Sequence, residues 1–165
     1  MSSIFMPIVL QLFAAVFTKF SVACEMEAEE CIFCNIANGK TDTVLEMESD
    51  DFAIFKDIKP AAQHHYLIVP KEHYDSLKTL NESHIKMVSL MEEHLKNFFV
   101  SKGICTADAL YGFHFPPFIS VKHLHMHGIA PRSQMPFFSR MVFKPSTAWF
   151  KTTQEALAYL RTKIM

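Results

Sequence analysis

Three histidines stand at every second position in the stretch His123-Leu124-His125-Met126-His127. On an extended strand successive side chains point to opposite faces. The three imidazoles would then share one face, with neighbouring Cα atoms about 6.8 Å apart, while Leu124 and Met126 face a core. A helix would spread the same rings around its circumference and give them no common target. Three readings fit such a row. It can be a solvated polar face. It can bind a metal, because imidazole is the commonest metal ligand. It can also work on phosphorus. A ring that titrates at about 6.5 is a nucleophile when neutral and a proton donor when charged, so neighbouring rings can divide those tasks near neutral pH.

A second pattern with chemical potential is Cys31-x-x-Cys34, half of a tetrahedral zinc site. Its alternative reading is a pair of small buried hydrophobes. His114, just before the Pro116-Pro117 turn, is a further histidine near the triad segment.

These residues need elements to position them. Asp51–Asp57 reads as a strand, 59–62 as a turn and His65–Val69 as a second strand ended by Pro70, which together suggest an antiparallel pair. His65, Leu67 and Val69 alternate on one face, so strand pairing can bring His65 to the histidine row. Ile85, Val88, Met91, Leu95 and Phe98 recur at helical steps, with Asn81 or Ser83 as the cap and Gly103 as the stop. Ala109–Phe115 and Ile119–Ile129 read as further strands. Thr152-x-x-Glu155 is a capping box for a last helix. Strands that turn back on their neighbours, with segregated helices, give an α+β class.

The 165 residues suffice for one domain with a real core, and 16 phenylalanines supply large buried area. Sixteen Lys and Arg against 17 Asp and Glu give a net charge of -1, which argues against a nucleic acid or an anionic membrane held by bulk charge. Four unevenly spaced cysteines make no disulfide scaffold and indicate a reducing compartment. Residues 1–30 stand apart as an apolar run followed by an acidic hinge. They are short for a membrane span and lack the basic start of a secretory leader, though Ser21-Val22-Ala23 would suit a cleavage enzyme. A leader sent to the secretory pathway and a plain extension both stay open.

Several motifs in order carry a family resemblance. His-Leu-His-Met-His with Phe118–Lys122 before it resembles the His-φ-His-φ-His-φ-φ signature (φ apolar) of the histidine-triad superfamily, with Gly128 a mild departure. Residues 31–36, 55–60, 65–73 and 112–118 resemble the opening segment, central hairpin and later strand of the same family. The likeness makes 31–165 one histidine-triad domain, an antiparallel sheet with one long helix and a C-terminal helix.

The resemblance implies a nucleoside 5'-monophosphoramidase that cleaves P–N bonds of adenosine phosphoramidates, with acyl-adenylates as second substrates. His125 would attack the α-phosphorus. His127 would contact the phosphate and help protonate the leaving group. His123 would steer the row, and His65 would support it. Asp57 would hold the ribose hydroxyls. Ile32, Phe33, Ile36, Phe55 and Ile58 would wall the base pocket, and Ser120 would bond near the leaving group. No cofactor or metal is required for the chemistry, but Cys31, Cys34, His73 and His123 match a structural zinc set of some members. Family members are usually homodimers, so a homodimer or larger assembly in the cytoplasm, and also the nucleus, is expected, acting on purine nucleoside monophosphate derivatives. Other functions of the superfamily, dinucleoside polyphosphate hydrolysis or nucleotidyl transfer, and a non-catalytic nucleotide-binding scaffold, stand as alternatives. Many relatives carry Gly-Gly-Gln before the serine. Here Pro117-Phe118-Ile119 takes its place, which puts leaving-group choice in doubt.

Overall fold

A computed structural model describes residues 31–163; the extension expected over 1–30 lies outside the described residues. The elements run in chain order as α1 (Ile32–Ala37), β1 (Leu45–Glu48), β2 (Phe52–Lys56), β3 (His64–Pro70), a 3-10 turn (Glu82–His84), α2 (Ile85–Ser101), β4 (Leu110–His114), β5 (Met126–Ala130), a 3-10 turn (Arg132–Gln134), α3 (Phe137–Val142), β6 (Phe150–Thr152) and α4 (Thr153–Arg161). The six strands form one antiparallel sheet in the order β1-β2-β3-β5-β4-β6. The fold is α+β, as the pattern of strands and helices indicates. Among the described residues no helix is long and apolar enough to cross a membrane.

The long helix forms where the periodicity places it. Val88, Met91, Leu95, Phe98 and Phe99 are its buried stripe. Each such side chain contributes about 1.5–3 kcal/mol by leaving water. The Asn81 side chain accepts from Ser83 N–H at 3.1 Å and caps the 3-10 turn Glu82–His84 that leads into the helix. The helix ends at a left-handed Gly103 at φ 70°. Gly103 N–H donates to Val100 C=O, and Ile104 N–H to Phe99 C=O, which satisfies two of the last carbonyls. The capping box of α4 is present as read: Glu155 N–H donates to Thr152 Oγ1 at 3.3 Å, and Thr152 N–H to Glu155 Oε2 at 2.8 Å.

Helices α2 and α4 cover one face of the sheet, packing on Phe52, Ile54, Tyr66, Ile68, Tyr111, Phe113 and Met126. The other face is divided. On one side α1 packs Phe33, Ile36 and Ala37 on Ala53, Phe55, Leu67 and Val69. On the other, Met135 and Phe143 pack on Leu110, Ile129 and Phe150. The site lies on this divided face, between the two clusters.

One expected strand is shorter than its sequence suggests. Pairing of β3 with β5 stops at Ile68↔Met126, so the ladder begins at Met126 and not at Ile119. The next partner for Leu124 would be Pro70, which has no N–H to give. Pro70 C=O accepts instead from the ring of His123 at 2.9 Å. Short elements such as α1, β1, α3 and β6 had no sequence counterpart; three to six residues are too few to show a period.

Strand β6 needs Gly112. A Cβ there would stand 2.5 Å from Lys151 O and 2.7 Å from the Phe150 ring, closer than any real contact. Gly112→Ala is therefore expected to destabilise the fold by about 1–3 kcal/mol, the cost of overpacking. An unchanged urea midpoint would show that β6 moves aside freely.

Candidate active site

The site is built from alternate positions on adjacent strands. His127 on β5 lies opposite Leu67 of β3 and Gly112 of β4. By the two-residue period, His65 of β3 and His114 of β4 emerge on the same face. His125 comes from the extended segment just before β5. The ring centroids of His125 and His127 are 5.1 Å apart, those of His65 and His127 5.2 Å, and those of His114 and His127 5.0 Å. All these rings except the half-buried His114 are nearly closed to solvent.

Main-chain partners fix which nitrogen of each ring carries its proton. Ala61 N–H donates to His65 Nδ1 at 3.0 Å, so that nitrogen is an acceptor and the proton sits on Nε2. His65 Nε2–H then donates to His127 Nδ1 at 2.9 Å. This leaves the proton of His127 on Nε2, a buried donor with no partner among the described residues. His125 is set the opposite way. Its Nδ1–H donates to His123 C=O at 2.6 Å, and a carbonyl can only accept. The lone pair of His125 is therefore on Nε2. One ring offers a pair and its neighbour offers a proton.

Burial keeps these rings neutral. Desolvation pushes His65 down to about 4, against the pull of Asp57 in the other direction. It also lowers His125 and, further, His127, which the neighbouring histidines push in the same sense. The sign for stability follows. Unfolded His65 titrates near 6.5, so between pH 6.5 and about 4 the unfolded chain binds more protons than the folded one. Stability is complete above that window and falls as pH is lowered through it. The expected result is a lower urea midpoint at pH 5 than at pH 7; equal midpoints would mean the rings are not held neutral.

Asp57 closes the group from the β2 end. Its Oδ1 accepts from Lys59 N–H at 2.8 Å, and its Oδ2 lies 3.4 Å from His65 Nε2 and 3.8 Å from His127 Nδ1. The Phe33 ring meets His125 edge-on at 5.1 Å, with Phe55 edge-on behind it at 5.4 Å. Ile36 is buried in the same cluster. Ile32 and Ile58 are exposed, Ile58 at 91%. Ser120 is exposed on the loop between β4 and β5.

His123 does not stand in line with the other two. Its ring turns to the cysteines, with Nδ1 3.4 Å from both Cys31 Sγ and Cys34 Sγ. Cys34 Sγ is also 3.2 Å from His73 Nδ1. The four ligand atoms lie within 4.8 Å of one another. Tetrahedral zinc with Zn–S about 2.3 Å and Zn–N about 2.05 Å sets its S and N ligands about 3.6 Å apart. The cluster is close to that figure. The far nitrogens face oxygens, His123 Nε2 to Pro70 O and His73 Nε2 to Asp75 Oδ1 at 3.0 Å, as the outer contacts of metal-bound histidines do. The residues therefore fit a zinc ion.

Two residues of this region carry no role in the sequence reading. His114, named there for its nearness to the triad segment, is brought to the site by parity, since Leu110, Gly112 and His114 alternate on the face that meets His127. Phe143 could not be found that way. It touches His65, His114 and His127 at 5.3, 5.0 and 5.1 Å from a segment with no pattern.

Comparison with known proteins places this arrangement among relatives. Residues 30–142 match the family described as scavenger mRNA decapping enzyme C-term binding. The adenosine 5'-monophosphoramidase HINT3 of Xenopus tropicalis is 42% identical over 134 residues, 79% of this chain and 87% of that protein. The HINT3 of Mus musculus, named likewise, is 43% identical over 79% of this chain and 81% of its own length. Among solved structures, a histidine triad protein from Clostridium difficile superposes with a TM-score of 0.58 at 33% identity, covering 61% of this chain and 89% of that one.

Proposed function

The chain belongs to the histidine-triad superfamily, in the branch of its nucleotide-binding proteins, and from that premise we propose that it is an adenosine 5'-monophosphoramidase working through a nucleotidyl-histidine. The observation that carries the reading is the opposed tautomers. His125 Nε2 has a free pair, and His127 Nε2–H has no partner among the described residues.

In the first step His125 Nε2 attacks the α-phosphorus and forms an N–P bond. The phosphorus–amine bond breaks, and the amine leaves with the bonding pair. It takes its proton from His127 Nε2–H, from a ring that the anionic substrate has brought into its charged form, so that the neutral ring is what remains. In the second step water attacks the same phosphorus and the bond to His125 breaks. AMP is released, and a proton of the water returns to His127. The His123 carbonyl holds His125 Nδ1–H throughout and stabilises the positive charge that the ring acquires. His65 holds His127 in the donor tautomer.

Phe33, backed by Phe55 and Ile36, offers an apolar wall for the base, with Ile32 and Ile58 at the rim. Asp57 is placed to accept from ribose hydroxyls with the carboxylate capacity its present partners leave over. The resemblance also gives Ser120 a bond near the leaving group. Cys31, Cys34, His73 and His123 would hold a zinc ion in a structural part, tying α1 to the segment that carries His125. The resemblance also carries a homodimer and a cytoplasmic or nuclear location; light scattering on the purified chain returns two copies if the first holds.

The test of the reaction is a quenched turnover with adenosine phosphoramidate analysed by mass spectrometry. An adenylyl group on the peptide that holds His125 is expected. Hydrolysis with no adduct at any quench time would point to direct attack by water. Binding with no hydrolysis would leave the chain a nucleotide-binding scaffold.

A further inference from the structure

A hollow of about 330 Å³ opens beside His114, which lines it together with Phe118, Met141, Val142 and Trp149. Four of its five residues are apolar or aromatic, and none carries a fixed charge. Phe118, Met141 and Val142 are 56, 45 and 47% exposed. Large apolar side chains gathered around a concavity at that exposure mark a place where something apolar binds.

The fold holds the hollow in shape. Phe115 N–H donates to Trp149 C=O at 2.8 Å, and Phe118 N–H to Phe115 C=O at 3.0 Å, which ties the proline turn to the segment before β6. Trp149 Nε1–H donates to Met141 C=O at 3.1 Å, which ties that segment to α3. The Phe118 and Trp149 rings meet edge-on at 6.3 Å and 69°.

His114 joins this hollow to the chemistry. Its ring stands edge-on to His127 at 5.0 Å. Since His127 turns Nδ1 toward β3, its Nε2–H looks to the β4 side, where His114 stands. A leaving group that takes a proton there departs past His114, and the hollow is the space beyond. We propose that this hollow is the leaving-group subsite and that it selects adenosine phosphoramidates of amines with a neutral apolar body, an aryl or branched alkyl group. The volume suits one ring system. The absence of a carboxylate in the lining gives a cationic side chain nothing to pair with. This deepens the phosphoramidase reading and rests on it. It also gives a role to Pro117-Phe118-Ile119, the run that replaces the glycine-rich turn of many relatives: the bulk of Phe118 is one wall.

The test compares kcat/KM for three adenosine phosphoramidates, unsubstituted, phenethylamine-derived and 1,4-diaminobutane-derived, in the wild type, Phe118→Ala and Met141→Lys. Both variants change exposed side chains. The wild type is expected to prefer the phenethyl over the diaminobutyl substrate at least tenfold. Each variant should lose at least fivefold on the phenethyl substrate and stay within twofold on the unsubstituted one. If the wild type hydrolyses the unsubstituted compound but shows no such preference, or the preference survives in both variants, the subsite is overturned and the phosphoramidase reading stands. If the unsubstituted compound is not hydrolysed at all, the reading itself falls and takes the subsite with it.

Discussion

His125→Asn turns over adenosine phosphoramidate roughly 10⁴-fold more slowly than the wild type, or worse, because removing a covalent nucleophile costs that order of rate. Asparagine keeps a polar group of similar reach, and its amide N–H can still donate to His123 C=O. What it lacks is a basic nitrogen with a free pair on the far side. AMP should therefore still bind within a fewfold of the wild-type Kd, and the melting temperature should move little. Two measurements decide the matter together, single-turnover rate and AMP affinity by calorimetry. A rate within tenfold of the wild type would remove His125 as the nucleophile. Loss of AMP binding along with the rate would mean that the substitution had disturbed the whole site. His127→Asn is a useful companion. It should slow amine departure while adenylate still forms from a substrate whose leaving group needs no proton.

Removal of zinc is the second large effect. Protein purified without a histidine tag should carry close to one zinc per chain, and Cys34→Ala should carry less than a tenth of that. At a free metal level one thousand times Kd, a site present only in the folded state contributes about 4 kcal/mol. For a domain of this size that corresponds to a fall of about 10–20 °C in melting temperature on chelation. The domain should stay folded at 25 °C, since its two larger apolar clusters do not include the cysteines as buried members. Less than a tenth of an equivalent in the wild type would dismiss the metal. Burial, with Cys31 adding to it, pushes the Cys34 thiol up to about 12. A bound divalent cation would hold a thiolate there instead. Alkylation by iodoacetamide should therefore be slow before chelation as well as after it, and zinc content is the better readout.

Much of the frame can be read from the residues. The central hairpin, the long helix with its stop at Gly103 and the capping box at Thr152 follow from alternation, a helical period and one capping residue. These signals are local, and each spans enough residues to repeat. The pairing of His65 with the histidine row follows from parity once two strands are adjacent. What could not be read depends on contacts distant in sequence. The grouping of His123 with Cys31 and Cys34 comes from the family resemblance alone, because residue spacing does not give the path of α1, six residues long. The early end of the β3–β5 ladder needs the register that sets Pro70 beside Leu124. Phe143 reaches three histidines from a stretch with no repeating pattern. The tautomers, too, are invisible in sequence, since Ala61 N–H and the His123 carbonyl have no side-chain signature.

The polarity of the histidine cluster is written in peptide groups. Ala61 N–H, the carbonyl of His123 and the carbonyl of Pro70 each orient one ring, and the carbonyl of Trp149, 3.3 Å from His114 Nδ1, is placed to orient a fourth. An amide neither gains nor loses a proton across the range in which proteins survive, and no side-chain replacement can delete one short of proline. Drift in the surrounding side chains can retune which amines the enzyme accepts while the assignment of attacker and donor stays put. For His127 the assignment passes through the His65 ring, so His65 is the one side chain whose replacement would release it.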